Sequence, residues 1–234
     1  MENSLIKTDE IQKVLAEAGF NPDEELDALE TTNNSFEIPR LRIDHKDNGK
    51  HRLYIDYGDN YLGSETQEKA IPKNTLKGVV FAEQHIRALW ADEEPLPICS
   101  SINDKPNDRE PLCQSCTSCK EAVIGSGNCK LKMRLWLLVE NKPVVINLST
   151  TSIKHWNAHK RKLKRSKLPV VSVNTVFQLE DTKRNGYRWA EVVFDVSGVS
   201  ARSTLLIAKQ ARDELDRVMQ DITHSDYDDP GDKA

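Results

Sequence analysis

Residues 131–139 read Leu131-Lys-Met-Arg-Leu-Trp-Leu-Leu-Val139, and every second residue is apolar. Period 2 puts Leu131, Met133, Leu135, Leu137 and Val139 on one face of a β-strand and Lys130, Lys132, Arg134 and Trp136 on the other. One face belongs to a core. The other carries cations beside an aromatic ring, a surface suited to phosphates and bases.

The same alternation recurs on both sides of this strand. Upstream, Leu41 and Ile43 alternate with Arg40 and Arg42, and after Asp47-Asn-Gly49 a second run places Leu53 and Ile55 between Arg52 and Tyr54, which predicts a hairpin. Residues 79–90 suit either strand or helix. Downstream, Asn141-Lys-Pro143 turns into a strand over 144–148, and Ser152 can cap a helix with Ile153, Trp156 and Leu163 on its apolar side, ending before Pro169. Val171, Val173, Thr175, Phe177 and Leu179 then alternate inward. Asn185-Gly186 turns into a last strand whose apolar register is Ala190, Val192, Phe194 and Val196, leaving Tyr187 and Trp189 on the opposite face. Leu205, Leu206, Ala208, Ala211, Leu215, Val218, Met219 and Ile222 mark a C-terminal helix. These elements predict a mainly β chain with flanking helices (α+β): an OB-like Greek-key barrel, with its helix between the third and fourth strands and a zinc-binding insertion.

The insertion is read from cysteine. All five cysteines fall between Cys99 and Cys129, three of them in Cys113-Gln-Ser-Cys116-Thr-Ser-Cys119. Cys-x-x-Cys turns let two sulfurs converge on one ion, so a single structural zinc is expected in a lobe over 97–130. A disulfide framework would need a secreted chain, and Met1 is followed by polar residues without an apolar leader. A redox pair would not need the outlying Cys99 and Cys129. A zinc nucleobase deaminase needs His-x-Glu, and none of the six histidines has Glu two residues on. His155 and His159 stand four apart, but no Glu follows the first and cationic neighbours would repel a metal.

Charge is segregated along the chain. Two basic residues stand against nine acidic ones over 1–35, 30 against 23 over 36–217, and one against five over 218–234. The expected organisation is an acidic helical arm over 1–35 with an apolar stripe at Ile6, Ile11, Val14, Leu15 and Phe20; a nucleic-acid-binding domain over 36–200; a C-terminal helix over 201–222; and an acidic disordered tail over 223–234. No apolar run approaches membrane length. Asp and Glu are scattered rather than paired as a catalytic metal site requires, which argues against a nuclease and for a non-enzymatic role.

The candidate contacts follow from these registers. A basic groove with aromatic faces is how OB barrels hold single strands. Lys130, Lys132, Arg134 and Trp136 share one strand face; Tyr187 and Trp189 share another, beside Lys183 and Arg184. The helix continues into His159-Lys-Arg-Lys-Leu-Lys-Arg-Ser-Lys167, a run without an acid, in which Lys160, Arg161 and Arg165 are candidate phosphate contacts.

Pro97-Ile-Cys99-Ser-Ser, Cys116-Thr-Ser-Cys119, Gly125-Ser126, Gly127-Asn-Cys129-Lys, the strand after them, Leu148-Ser-Thr-Thr-Ser-Ile-Lys and the basic helix together resemble a family of bacteriophage and prophage zinc-containing OB-fold single-stranded DNA-binding proteins. The resemblance covers roughly residues 36–200. It implies Cys99, Cys116, Cys119 and Cys129 as zinc ligands, with Cys113 spare; Cys99, Cys113, Cys116 and Cys129 form the rival set. It also implies a non-catalytic role in phage DNA replication, recombination or repair in the host bacterial cytoplasm. Single-stranded DNA is the expected partner, with replication or recombination proteins at the acidic ends and a homo-oligomer as a further expectation. The alternative is a phage transcription regulator that binds DNA and host RNA polymerase.

Overall fold

Short alternating runs set the strands, and turn residues set their lengths. β1 (Arg40–His45) and β2 (His51–Asp59) pair antiparallel, with Leu41 opposite Ile55 and Ile43 opposite Leu53, so the expected hairpin forms in the expected register. β3 (Thr66–Ala70) adds to β2. The ambiguous stretch is a strand: β4 (Thr75–Leu89) runs for 15 residues, and its β-branched and aromatic Val79, Val80 and Phe81 are all buried. β5 (Cys99–Ile102) and β6 (Lys105–Pro106) fold back against the end of β4. β7 (Lys130–Val139) and β8 (Lys142–Leu148) are joined by Glu140 and Asn141, both at positive φ, the left-handed conformation of a two-residue hairpin turn. After α1 (Thr150–Arg165), β9 (Val173–Arg184) and β10 (Tyr187–Val199) form the second long hairpin, with Gly186 at φ 87° in its turn, and α2 (Arg202–Val218) follows.

These elements come from a computed structural model, which describes residues 38–45, 50–59, 66–91, 97–107, 110–123, 127–184, 186–218 and 222. The acidic arm over 1–35 and the tail over 223–234 lie outside the described residues. The chain divides at Glu37, and everything described belongs to the unit Ile38–Ala234. That unit is mainly β, with 51% strand and two helices among the described residues. Its mixed sheet runs β10-β9-β4-β7-β8-β1-β2-β3, with β5 and β6 branching from β4. The expected closed barrel is therefore not formed. β8 takes β1 as a parallel neighbour through Arg40 and Val145, and β10 and β3 stand at the two ends of an open order.

The sheet carries apolar layers on both faces. Met133, Leu135 and Leu137 of β7, all fully buried, join Leu53, Leu148, Phe177 and Val192 in the main core, which Trp156 of α1 closes. On the other face α2 lays Ala208, Ala211 and Leu215 over Phe81, Trp136, Leu138 and Val145. β4 shifts register between Val80 and Ala82 at its pairing with β7, and the Phe81 carbonyl there accepts a 2.7 Å hydrogen bond from Arg212 Nε of α2. Gly78 lets β4 and β7 approach closely, since a Cβ would stand 2.9 Å from Leu137 Cδ1. Among the described residues, no helix is long and apolar enough to cross a membrane.

Helix α1 is anchored to the free edge of the sheet. Ser149, one turn before the expected cap, is the N-cap, and Ser152 is buried instead, its Oγ accepting the Val192 backbone N–H at 3.0 Å. An edge amide of β10 is thereby satisfied by the helix. Lys167 at φ 56° and the Leu168 N–H, which returns to the Leu163 carbonyl at 3.0 Å, end the helix before Pro169.

Candidate nucleic-acid interface

The structure separates the three groups of candidate contacts that alternation suggested. On β7 only Lys130 is exposed; Lys132, Arg134 and Trp136 retain 3%, 3% and 4% of their surface. The outward face expected there is a second interior. α2 covers Trp136, and Ile222 packs on Ile86, the residue paired with Lys132 across the ladder. Arg134 lies over the Trp136 ring at 5.8 Å, and the indole nitrogen of Trp136 has no hydrogen-bond partner among the described residues. The cause is α2, whose apolar residues Ala208, Ala211 and Leu215 recur every three to four positions and form a stripe that takes the surface the strand presents.

The elements that carry the other two groups, α1 and β10, are neighbours. α1 runs beside β10 in the same direction: Lys154 Nζ and His155 Nε2 reach Glu191 at 3.0 and 2.7 Å, and eight residues further along Lys162 reaches Asp195 at 2.9 Å. Glu191 and Asp195 share the register of Tyr187 and Trp189, so the aromatic face of β10 leads directly to the basic helix. Tyr187 is 78% exposed. Trp189 is half-buried, and its indole N–H donates to Glu191 Oε1 at 2.8 Å, which fixes the ring against the strand.

Glu191 is the hub of this seam. Its side chain is 6% exposed, and three donors converge on it from two elements. Burial by itself pushes its pKa up, but the hydrogen bonds from His155, Trp189 and Lys154 outweigh that and hold the carboxyl below its usual range. A second carboxylate, Glu83 of β4, accepts the indole N–H of the buried Trp156 at 2.7 Å and pairs with Lys160 at 2.7 Å. Sequence reasoning missed both acids. For Glu191 the signal was present, since it stands two residues after Trp189 in the same register.

Further along α1 the cations change character. Lys160 and Lys162 are tied to Glu83 and Asp195, whereas Arg161, Lys164, Arg165 and Lys167 are exposed and lie near no carboxylate among the described residues. At the hairpin end of β10, on the face opposite Tyr187 and Trp189, Lys183 and Arg188 are exposed and directly opposite one another across the β9–β10 ladder. Like charges so placed repel, and an anion between or beside them relieves the repulsion. Arg184 ends β9 with its side chain outside the described residues. His159, on the inner side of α1, is buried against Trp156 at 5.5 Å, with neither ring nitrogen hydrogen-bonded; burial lowers its pKa, helped by Lys162.

The cysteine lobe also differs from the zinc-bound lobe expected of it. Cys99, Cys116, Cys119 and Cys129 line one small cavity together with Arg87 and Glu121. They do not fit the expected zinc: among the described residues no group of three or more His, Cys, Asp or Glu is placed to hold a metal ion. All five cysteines are free thiols. Burial pushes Cys129 up to about 11, and a hydrogen bond with Cys119 raises Cys113. The lobe is held by its backbone instead. Cys129 N–H reaches the Glu121 carbonyl at 2.9 Å, Arg87 Nη1 donates to the Ala122 carbonyl at 3.1 Å, and Gly127 crosses so near Glu121 that any Cβ would strike its carbonyl.

Compared with known proteins, the chain matches no family model, no curated protein and no solved structure.

Proposed function

We propose that this chain is a non-catalytic single-stranded DNA-binding protein, of the kind that serves phage DNA replication, recombination or repair in a bacterial host. The observation that carries the reading is the outer surface of α1, where Arg161, Lys164, Arg165 and Lys167 are exposed without acidic partners in a chain whose net charge is −4. Unpaired cations concentrated on one helix, against an acidic average, form a polyanion site rather than a solvated face. Two features support a single strand over a duplex. Exposed Tyr187 and half-buried Trp189 offer ring faces that only unpaired bases can use. The chain order β4, β7, β8, α1, β9, β10, with β9-β4-β7-β8 adjacent in the sheet, also suits an OB-like core opened by the entry of β1 beside β8.

Titration of a labelled oligodeoxythymidylate and of a duplex across a range of salt tests the reading. Single strands should bind more tightly, with little sequence preference and with log affinity falling by about 0.7 per phosphate contact for each unit of log salt. Tighter binding to one duplex sequence would replace this function with that of a transcription regulator, and absence of binding to either would end both.

A further inference from the structure

We propose that the strand lies along the seam between α1 and β10, with bases on Tyr187 and Trp189 and phosphates on Arg161 and Arg165, and that Glu191 is the positioning residue of this track. The inference rests on the single-strand reading and moves its site away from β7. Two independent observations converge on the seam. The aromatic register of β10 and the basic run of α1 are adjacent in space, joined by the contacts of Lys154 and His155 with Glu191 and of Lys162 with Asp195. The competing platform at Lys132, Arg134 and Trp136 lies inside the fold.

The dimensions suit a short single strand. Four strand residues from Tyr187 to Glu191 span about 13 Å, and eleven helical residues from Lys154 to Arg165 span about 17 Å. A track of about 30 Å accommodates about nine nucleotides at the 3.4 Å spacing of a stacked strand, and fewer if the strand is extended. Glu191 sits near its middle. Its carboxylate holds the Trp189 ring by the indole N–H and occupies Lys154 through the same oxygen, so it sets the aromatic in place while keeping one positive charge from the phosphates.

Binding of labelled oligodeoxythymidylates from about 4 to about 16 nucleotides, at several salt concentrations, tests the track. Affinity should rise with length and level off by about nine nucleotides. Tyr187→Ala should weaken binding about 5- to 150-fold, the range for loss of one stacked base, with an unchanged thermal midpoint. Arg161→Gln with Arg165→Gln should lower the salt slope by about 1.4, and Glu191→Gln, which keeps an acceptor for Trp189 while releasing Lys154, should raise it by about 0.7. Trp136→Phe should bind as the parent does. If the parent binds but the Tyr187 and arginine variants bind equally well with the parent slope, the track is wrong and the function stands. If Glu191→Gln changes stability without raising the slope, its positioning role is wrong. If the parent binds no oligodeoxythymidylate, the functional reading fails and the track with it.

Discussion

Glu191 shows how one side chain can couple two elements. Its carboxyl pKa is held below the ordinary value of 4.5, so its contribution to stability is fully present above that pH and is lost as pH falls through the lower, folded value. Glu191→Ala should cost roughly 1–3 kcal/mol at neutral pH, since three donors lose a charged acceptor, and the variant should lose part of the acid sensitivity of the parent. Chemical denaturation of both proteins at pH 7 and pH 3.5 checks this. His159 makes the opposite case. It faces Trp156 and Phe194, with Lys162 and Asp195 the charged groups nearest its ring, and it is buried with two unpartnered nitrogens. A depressed histidine pKa means that stability falls as pH drops below the ordinary 6.5 toward the folded value. His159→Phe should therefore leave stability unchanged or raise it at pH 7, and should flatten the fall between pH 7 and pH 5, because a ring of similar shape removes both unsatisfied atoms.

At the level of elements, β7 and α2 form one packing unit rather than a binding strand and an appendage. Trp136→Ala should cost about 3–5 kcal/mol, as expected for removing a large buried ring. Arg212→Leu should cost about 1–3 kcal/mol, because the Phe81 carbonyl at the β4 irregularity loses its donor. Neither should alter oligonucleotide affinity in the folded protein, and thermal unfolding beside a binding titration separates the two effects. Much of this layer was legible in the sequence. The strand over 131–139, the turns at Asn141 and at Asn185-Gly186 and the helix before Pro169 were all readable, because alternation and turn chemistry act over a few residues. The strand character of residues 79–90 was not, since Val79, Val80 and Phe81 are buried in succession and show no period, and the polar Glu83, Gln84 and His85 interrupt the apolar pattern after them. Nor was the role of Ser152, which resembles a cap until β10 arrives with an amide to be satisfied.

At the scale of the unit from Ile38 onward, the sheet has cores on both faces, and the basic helix α1 lies along its β10 edge. A chain ending at residue 200 would leave Phe81, Trp136, Leu138 and Val145 uncovered, so it should lose cooperative unfolding or self-associate, which sedimentation and calorimetry would detect. The amino-acid sequence by itself determined the strand registers, the hairpins, the basic run of α1 and the presence of aromatics opposite the core residues of β10. These depend on side-chain period and local turn conformation, which neighbours in the chain fix. Only the tertiary structure decided which outward faces remain outward. A strand face is exposed or buried according to whether another apolar surface packs on it, and that depends on contacts such as those of Ala208 and Leu215 with Trp136, made between residues far apart in the chain. The same long-range packing left β10 at the sheet edge beside α1, left the thiols without a geometry for a metal among the described residues, and joined Lys154, His155 and Lys162 of α1 to Glu191 and Asp195 of β10.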